Sequence, residues 1–144
     1  MQNSKTYSAL AMAGTIPFIA AALLPLLGYD ALPLLGSLQK LVLSYGLAIV
    51  CFLAGAHWGM YLAGRCPDSL NLFIISNAIF LVVWFAYVGA GVKTAIGVQI
   101  FAFVVLLLID RRLRNTDAIS LRYVRVRSVA TLIAIVSLLV VLSQ

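Results

Sequence analysis

The chain has 144 residues, of which 64% are hydrophobic, and it carries a formal net charge of +6. Its mean hydropathy is +1.11, and this composition excludes a soluble globular domain, in which about half of the residues are apolar. Only four residues are acidic, and none of them is a glutamate.

Five apolar runs are each close to the roughly 20 residues that a membrane-spanning helix needs. Together they take up most of the chain and leave no room for a soluble domain. The sequence therefore predicts an all-α integral membrane protein, a single bundle of five transmembrane helices. The predicted spans are residues 7–27, 41–62, 70–89, 94–109 and 126–142.

The first predicted span contains Pro17, which cannot donate a backbone hydrogen bond to the carbonyl of Ala13. We expect a kink there, with a free carbonyl close to Thr15. The following stretch, residues 24–37, is apolar but is interrupted by two prolines and two glycines. It is too short to span a bilayer, so we expect it to lie at the outer interface.

The second span has two different faces. One face carries small residues at three- and four-residue spacing, including Gly55 and Gly59, and such stripes let another helix approach closely. We expect this stripe to pack within the chain, with the seam of a homodimer as the alternative. The opposite face carries His57, the one histidine of the chain, and an imidazole inside a bilayer is costly unless it finds a partner.

Four of the five spans place a polar group at a similar depth, about 6–12 Å inside the helix ends at 1.5 Å per residue. Because polar side chains of membrane helices face the bundle interior, we predict a polar pocket around His57, with Ser76 or Asn77 as its hydrogen-bond partner. Arginines around the mouth would favour an anionic ligand. The predicted pocket residues are His57, Trp58, Tyr61, Ser76, Asn77, Thr15 and Thr131, and the predicted rim residues are Arg122, Arg125 and Arg127.

The alternative for His57 is a structural role, bonded only to a neighbouring amide or carbonyl. We expect Gln99, deeper in the fourth span, to join helices in this way. Asp110, at the end of that span, is expected to pair with Arg111, Arg114 or a loop arginine. One histidine without a cysteine or carboxylate cluster predicts no metal site, and the sequence names no cofactor.

Basic residues lie mainly on one side of the predicted membrane if the spans alternate in direction. Of the ten lysines and arginines, only Lys40 and Lys93 fall on the other side. Since basic loops face the cytoplasm, we predict a cytoplasmic N-terminus and an external C-terminus. The arginines lack interleaved aromatic residues, so we expect the lipid bilayer, and not nucleic acid, as a partner.

Three parts of the chain resemble one small membrane-protein family, which is called domain of unknown function 3429 and whose animal relatives are called transmembrane protein 69. They are the Gly14-x-x-Pro17-Phe18 motif, residues 52–59 (Phe-Leu-Ala-Gly-Ala-His-Trp-Gly) and the basic start of the last helix, residues 122–127. The resemblance covers nearly the whole chain, although Ala54 stands where a glycine is expected. It implies a bacterial inner membrane or an organellar inner membrane, and it implies no reaction.

Three functions remain open at this point. The first is a protein that binds or passes a small solute at the pocket around His57. The second is a non-catalytic assembly or interaction subunit of a larger membrane complex, which fits the small size and the Gly55 and Gly59 stripe. The third is a lipid- or quinone-binding protein, which fits Trp58 and Tyr61 near the headgroup level. An enzyme is the least supported class, because the chain has no paired carboxylates and no serine nucleophile near the histidine.

Overall fold

Five helical segments of the computed structural model, which describes residues 2–65 and 71–144, are long and apolar enough to cross a membrane. The predicted all-α architecture is confirmed. The first segment consists of two consecutive helices, and the other four are single helices. The helices are α1 (Gln2–Ala13), α2 (Ile16–Leu23), α3 (Leu38–Leu62), α4 (Leu72–Gly89), α5 (Val92–Asn115) and α6 (Leu121–Ser143).

The first segment is broken between α1 and α2, as the position of Pro17 predicts. Pro17 lies in the first turn of α2, where its missing N–H leaves no hydrogen bond unmade. The Thr15 hydroxyl donates to the Met12 carbonyl over 2.7 Å. The Gly14 carbonyl accepts a 3.0 Å hydrogen bond from the Tyr45 hydroxyl of α3. The break therefore gives α3 a fixed contact with the first segment.

The stretch between α2 and α3 forms no spanning helix. It contains a 3-10 turn over Pro25–Leu27 and a two-stranded antiparallel hairpin of β1 (Ala31–Leu32) and β2 (Gly36–Ser37). In this hairpin Ala31 lies opposite Ser37. The short ladder and the turns agree with a stretch that is too broken by proline and glycine to continue as a helix.

Helices α5 and α6 both extend into the predicted polar loop between them. α5 continues to Asn115 instead of ending at residue 109, and α6 begins at Leu121 instead of at residue 126. The polar loop between them is correspondingly short. The extension has a packing reason, because Leu113 is fully buried one turn beyond Ile109 and continues the apolar stripe of α5.

The helices form a closed bundle. Each long helix packs against its neighbours in the chain, α2 packs against α6 to close the ring, and α3 packs against α5 across the interior. The centre is filled by side chains from these helices, including Val42, Val50, Phe103, Leu106 and Leu138, all at most 1% exposed. Helices α3, α5 and α6 therefore supply both the core and the inward positions from which a site can be built.

Candidate functional site

Three polar side chains from three helices meet inside the bundle. His57 of α3 contacts Asp110 of α5 through Nε2 and Oδ1 at 2.8 Å. Arg127 of α6 donates from Nε to the other oxygen of Asp110, Oδ2, over 3.1 Å. The three residues are only 2%, 1% and 8% exposed, respectively. We refer to His57, Asp110 and Arg127 as the buried triad.

The three residues of the buried triad lie at the same depth. His57 lies five residues before the end of α3, Asp110 five residues before the end of α5, and Arg127 six residues after the start of α6. Because successive long helices run in opposite directions, these three helix ends lie on the same side of the bundle. At 1.5 Å per residue, all three side chains are about 8–9 Å inside that side.

The predicted hydrogen-bond partner of His57 is wrong. Ser76 donates to the Leu72 carbonyl of its own helix, and Asn77 donates from Nδ2 to the Phe73 carbonyl over 2.8 Å. A side-chain hydroxyl or amide that donates to the carbonyl four residues earlier in its own helix is already hydrogen-bonded, so it does not require a partner on a second helix. An imidazole finds no such local acceptor here, and the carboxylate of α5 is its partner.

The predicted partners of Asp110 are also wrong. Asp110 lies inside α5 and faces the core, whereas the adjacent Arg111 points to the surface. Arg114 contacts Asp117 instead, with Nη1 and Oδ1 2.6 Å apart on the surface. The physical reason is the continuation of α5, which turns Asp110 toward Arg127 of the neighbouring helix.

The buried triad leaves polar atoms unpaired. Removing ions from water costs several kcal/mol per ion, and only close contacts with full hydrogen bonding offset this cost. Both oxygens of Asp110 are used, but Nδ1 of His57 and Nη2 of Arg127 are buried and find no hydrogen-bond partner within residues 2–65 and 71–144. Buried polar atoms are nearly always paired in folded proteins, and each of these two atoms keeps an unused hydrogen-bonding position.

A cavity of about 390 Å³ lies beside the buried triad, between the first segment, α3, α5 and α6. Its volume falls within the range of small-molecule sites. Most of its wall is apolar, and its polar groups belong to a few residues of α1, α6 and the α1–α2 break. We refer to it as the main cavity, and its principal lining residues are Tyr7, Thr15, Phe18, Phe52, Tyr123, Arg127 and Thr131.

Two side chains of α6 that line the main cavity each carry a buried polar atom without a partner in the described residues. Thr131 is 1% exposed, and its Oγ1 is buried without a partner in the described part of the chain, as is Nη2 of Arg127. Residues four apart lie on the same face of a helix, and both residues line the main cavity. Together they offer a hydroxyl and a guanidinium to the polar end of a ligand.

Two tyrosines complete the polar end of the main cavity. The rings of Tyr7 and Tyr123 stack with centroids 5.5 Å apart and an angle of 18° between their planes. Both line the main cavity, and both lie close enough to Asp110 and Arg127 to interact with their charges. Tyrosines near the ends of apolar segments are typical of the membrane interface. The positions of Tyr7 and Tyr123 in the sequence do not predict that their rings stack.

The residues predicted for one pocket lie in separate places. Thr15 and Thr131 line the main cavity, whereas Trp58, Ser76 and Asn77 line a groove of about 310 Å³ on a different face of α3. The predicted pocket therefore divides into two sites with α3 between them. His57 and Tyr61 are not among the residues that line either site, and Tyr61 packs against Phe73, with ring centroids 4.4 Å apart.

The predicted rim arginines do not surround an opening. Arg122 and Arg125 are exposed on the first turns of α6, and neither is among the residues that line the main cavity. Arg127 is the exception, since it is buried and paired with Asp110. Positions 122 and 125 are three residues apart and share the exposed face of the helix, whereas position 127 lies on the opposite face, so Arg127 is the one of the three that faces the interior.

The small-residue stripe of α3 does not pack within the chain. A Cβ atom added at Gly55 or Gly59 would meet nothing within 4 Å, because His57 turns the opposite face of α3 toward the core. Gln99 does join two helices, since its Nε2 donates to the Leu43 carbonyl over 2.6 Å. Its side chain lies against Gly46, where a Cβ would overlap it.

Sequence reasoning missed Asp110 as the centre of the site. One signal was available, because Leu106, Ile109 and Leu113 place an apolar stripe on both sides of Asp110 and so predict a helix through it. Counting depth from the end of that longer helix would have placed Asp110 level with His57. Tyr45 had no comparable signal, because its acceptor is a backbone carbonyl exposed by the break in another helix.

His57 and Asp110 supply two groups that can bind metals, but the described residues hold no cluster of three or more His, Cys, Asp or Glu side chains. The apolar wall and the guanidinium beside it also suit an organic molecule better than a cation.

A family model described as "Protein of unknown function (DUF3429)" matches residues 3–143. The match covers nearly the whole chain and confirms the family resemblance of the motifs at Gly14, residues 52–59 and residues 122–127. No solved structure matches the chain.

Proposed function

Because this chain belongs to the DUF3429 family, whose description assigns no activity, we propose a function from the site itself. The protein is an integral membrane protein that binds a small amphipathic molecule in the main cavity. The polar head of this molecule accepts hydrogen bonds from Arg127 and Thr131, and its apolar part lies against the aromatic wall. This proposal joins the solute-binding and the lipid- or quinone-binding interpretations of the sequence.

One observation carries the proposal: two buried donors without a partner in the described residues, Arg127 Nη2 and Thr131 Oγ1, belong to side chains that line an otherwise apolar cavity. An unpaired buried donor costs about 1–3 kcal/mol. A ligand with an acceptor at one end removes that cost, and an apolar remainder gains from burial.

The surface around the main cavity supports access from lipid. Leu10 and Phe52 line the cavity and are 68% and 74% exposed, respectively. The bundle also presents large apolar side chains elsewhere, such as Phe101 and Leu132, and a surface of this kind suits a bilayer. The ligand would therefore enter sideways from the membrane, with its tail leading back to lipid.

The distribution of basic residues supports one orientation of the protein in the membrane. The side of the bundle that holds the ends of α3 and α5 and the start of α6 carries most of the basic residues. By the positive-inside rule this side faces the cytoplasm, or the equivalent compartment of an organelle. The N-terminus is then inside, the C-terminus outside, and the polar end of the main cavity lies toward the inner leaflet of a bacterial or organellar inner membrane.

A photoreactive probe tests the proposed site. We expect decanol carrying a diazirine, added to protein in zwitterionic vesicles and irradiated, to label mainly peptides of α1, α3 and α6 that line the main cavity. Ala56→Phe fills the cavity from its exposed edge and should lower this labelling several-fold. Ala78→Phe, an exposed position on α4, is the matched control and should leave it unchanged. Labelling spread evenly over lipid-facing residues, or equal in both variants, would contradict the site.

A second candidate function is a subunit that packs against another membrane helix, either a second copy or a partner protein. It is favoured by the exposed small-residue face of α3, where Gly55 and Gly59 leave open space. Cys51 lies on this face and is exposed. In a Cys66→Ser background, we expect mild oxidation in membranes to produce a disulfide-linked homodimer if two copies meet there. A chain that stays monomeric under these conditions, with no crosslink to another protein, would count against this candidate.

A further inference from the structure

We propose that the ligand of the main cavity is a monoanionic amphiphile, and that its binding is coupled to the uptake of one proton by His57. This inference rests on the proposed function, because it concerns the same cavity. It adds the charge of the ligand and a thermodynamic link between ligand and proton. It follows from the charge balance of the buried triad.

Without a ligand, the buried triad is neutral when His57 is neutral. Nε of Arg127 donates to one oxygen of Asp110 and Nε2 of His57 contacts the other, and an ionised carboxylate can only accept hydrogen bonds. The arginine is always protonated, so its charge cancels that of Asp110. We therefore assign the N–H of a neutral His57 to Nε2, which leaves Nδ1 as a lone pair.

The free guanidinium nitrogen favours an anionic head. Nη2 of Arg127 is buried without a partner in the described chain, and a charge-assisted hydrogen bond to an anion is about twice as strong as a neutral one. An anion bound there would give the neutral triad a net charge of −1. In apolar surroundings an uncompensated charge is expensive, so the anion alone would bind weakly.

One proton on His57 restores neutrality. Its Nδ1 is buried and unpaired within the described residues, while its Nε2 already contacts Asp110. With His57 protonated, two positive charges face the two negative charges of Asp110 and the ligand. Histidine is also the side chain whose charge ordinarily changes between about pH 5 and 8.

The other groups around His57 are less suited to take up the proton. From α5 it faces Asp110, whose two oxygens both accept hydrogen bonds and would lose one on protonation. From α6 and α1, Tyr123 and Tyr7 lie near the triad, but neutral tyrosines can only release a proton. Helix α4 has one titratable residue, Tyr87, near its opposite end.

Calorimetry with two probes of equal tail length tests the coupling. Decanesulfonate stays ionised across this pH range, and decanol is neutral. We expect titration of protein in zwitterionic nanodiscs at pH 7.5, repeated in buffers of different ionisation enthalpy, to show about one proton taken up per decanesulfonate and none per decanol. In the pH range where one proton is taken up, the affinity for decanesulfonate should weaken about ten-fold for each unit by which the pH rises. The affinity for decanol should not change with pH.

His57→Gln keeps a hydrogen-bond donor but cannot titrate, and should abolish the proton uptake, whereas Cys51→Ser, on another face of α3, should preserve it. If both probes bind wild-type protein without proton uptake, the coupling is wrong and the proposed function stands. If neither probe binds, both are wrong. Proton uptake that persists in His57→Gln would overturn His57 as the acceptor and point to Asp110. The wild-type proton count decides the coupling even if the His57→Gln protein does not fold.

Discussion

At the scale of single residues, the site depends on how each polar side chain is satisfied. Ser76 and Asn77 bond to carbonyls of their own helix, so they are independent of the rest of the bundle. His57 and Arg127 have no such local partner and converge on Asp110. Asp110 is therefore the residue on which the buried cluster depends most, although it looked like a loop residue in the sequence.

We expect Asp110→Asn to lower the free energy of unfolding by about 3–5 kcal/mol, because it leaves the charge of Arg127 buried without compensation. The measurement is reversible unfolding in mixed detergent micelles, followed by circular dichroism. The matched control is Asp117→Asn, whose carboxylate is 90% exposed beside Arg114 and whose loss should not change stability measurably.

Replacing Asp110 and Arg127 together should lower the free energy of unfolding less than replacing Asp110 alone. Asp110→Leu combined with Arg127→Met removes both buried charges, and such apolar replacements are often neutral or stabilising. We expect the double variant to be more stable than Asp110→Asn. Equal losses in the Asp110 and Asp117 variants would show that the buried triad does not contribute to folding as described.

At the scale of the helices, α3 is the element whose two faces have opposite roles. Its inner face carries Gly46 against Gln99 and His57 against Asp110, and its outer face carries Gly55 and Gly59 in open space. Glycines of the same helix therefore differ in what they contribute to packing. Gly46 is needed for close packing inside this chain, and the outer pair is not.

We expect Gly46→Ala to lower the free energy of unfolding by about 1–3 kcal/mol, as overpacked substitutions do. The new methyl group would displace the buried Gln99 amide from the Leu43 carbonyl. Gly55→Ala is the control in the same helix, and it should cause no loss, because alanine is the better helix former. The unfolding assay compares the two directly, and equal costs would show that the close approach of Gln99 is unimportant.

At the scale of the whole molecule, five apolar segments and a one-sided distribution of basic residues support one orientation in a membrane. The closed ring, in which α2 packs against α6, surrounds the α3–α5 contact at its centre. This arrangement places the buried triad near the basic side and lets the main cavity reach the surface at Leu10 and Phe52.

The orientation is testable with single cysteines in a Cys51→Ser, Cys66→Ser background. Lys93→Cys, at the start of α5, should react with a membrane-impermeant maleimide in intact bacterial cells that express the protein. Asn115→Cys, at the end of the same helix, should react only after the cells are permeabilised. Both positions are exposed, so accessibility in the protein does not limit the reaction. The opposite pattern would reverse the proposed topology.

The sequence by itself determined the fold class, the number of long apolar helices and the break at Pro17. These follow from local properties, since hydropathy, span length and the missing proline N–H act within one segment. The depth of His57 was also readable from the sequence, because it requires only the end of one helix.

Only the tertiary structure decided which polar groups meet. The partner of an inward side chain depends on the rotation and axial position of neighbouring helices, and depth alone leaves those open. Depth therefore favoured Asn77 as much as any other residue, whereas packing turned Asp110 and Arg127 toward His57 and turned Asn77 to the surface. The main cavity likewise depends on how the first segment, α3 and α6 fit together, and this is a property of no single helix.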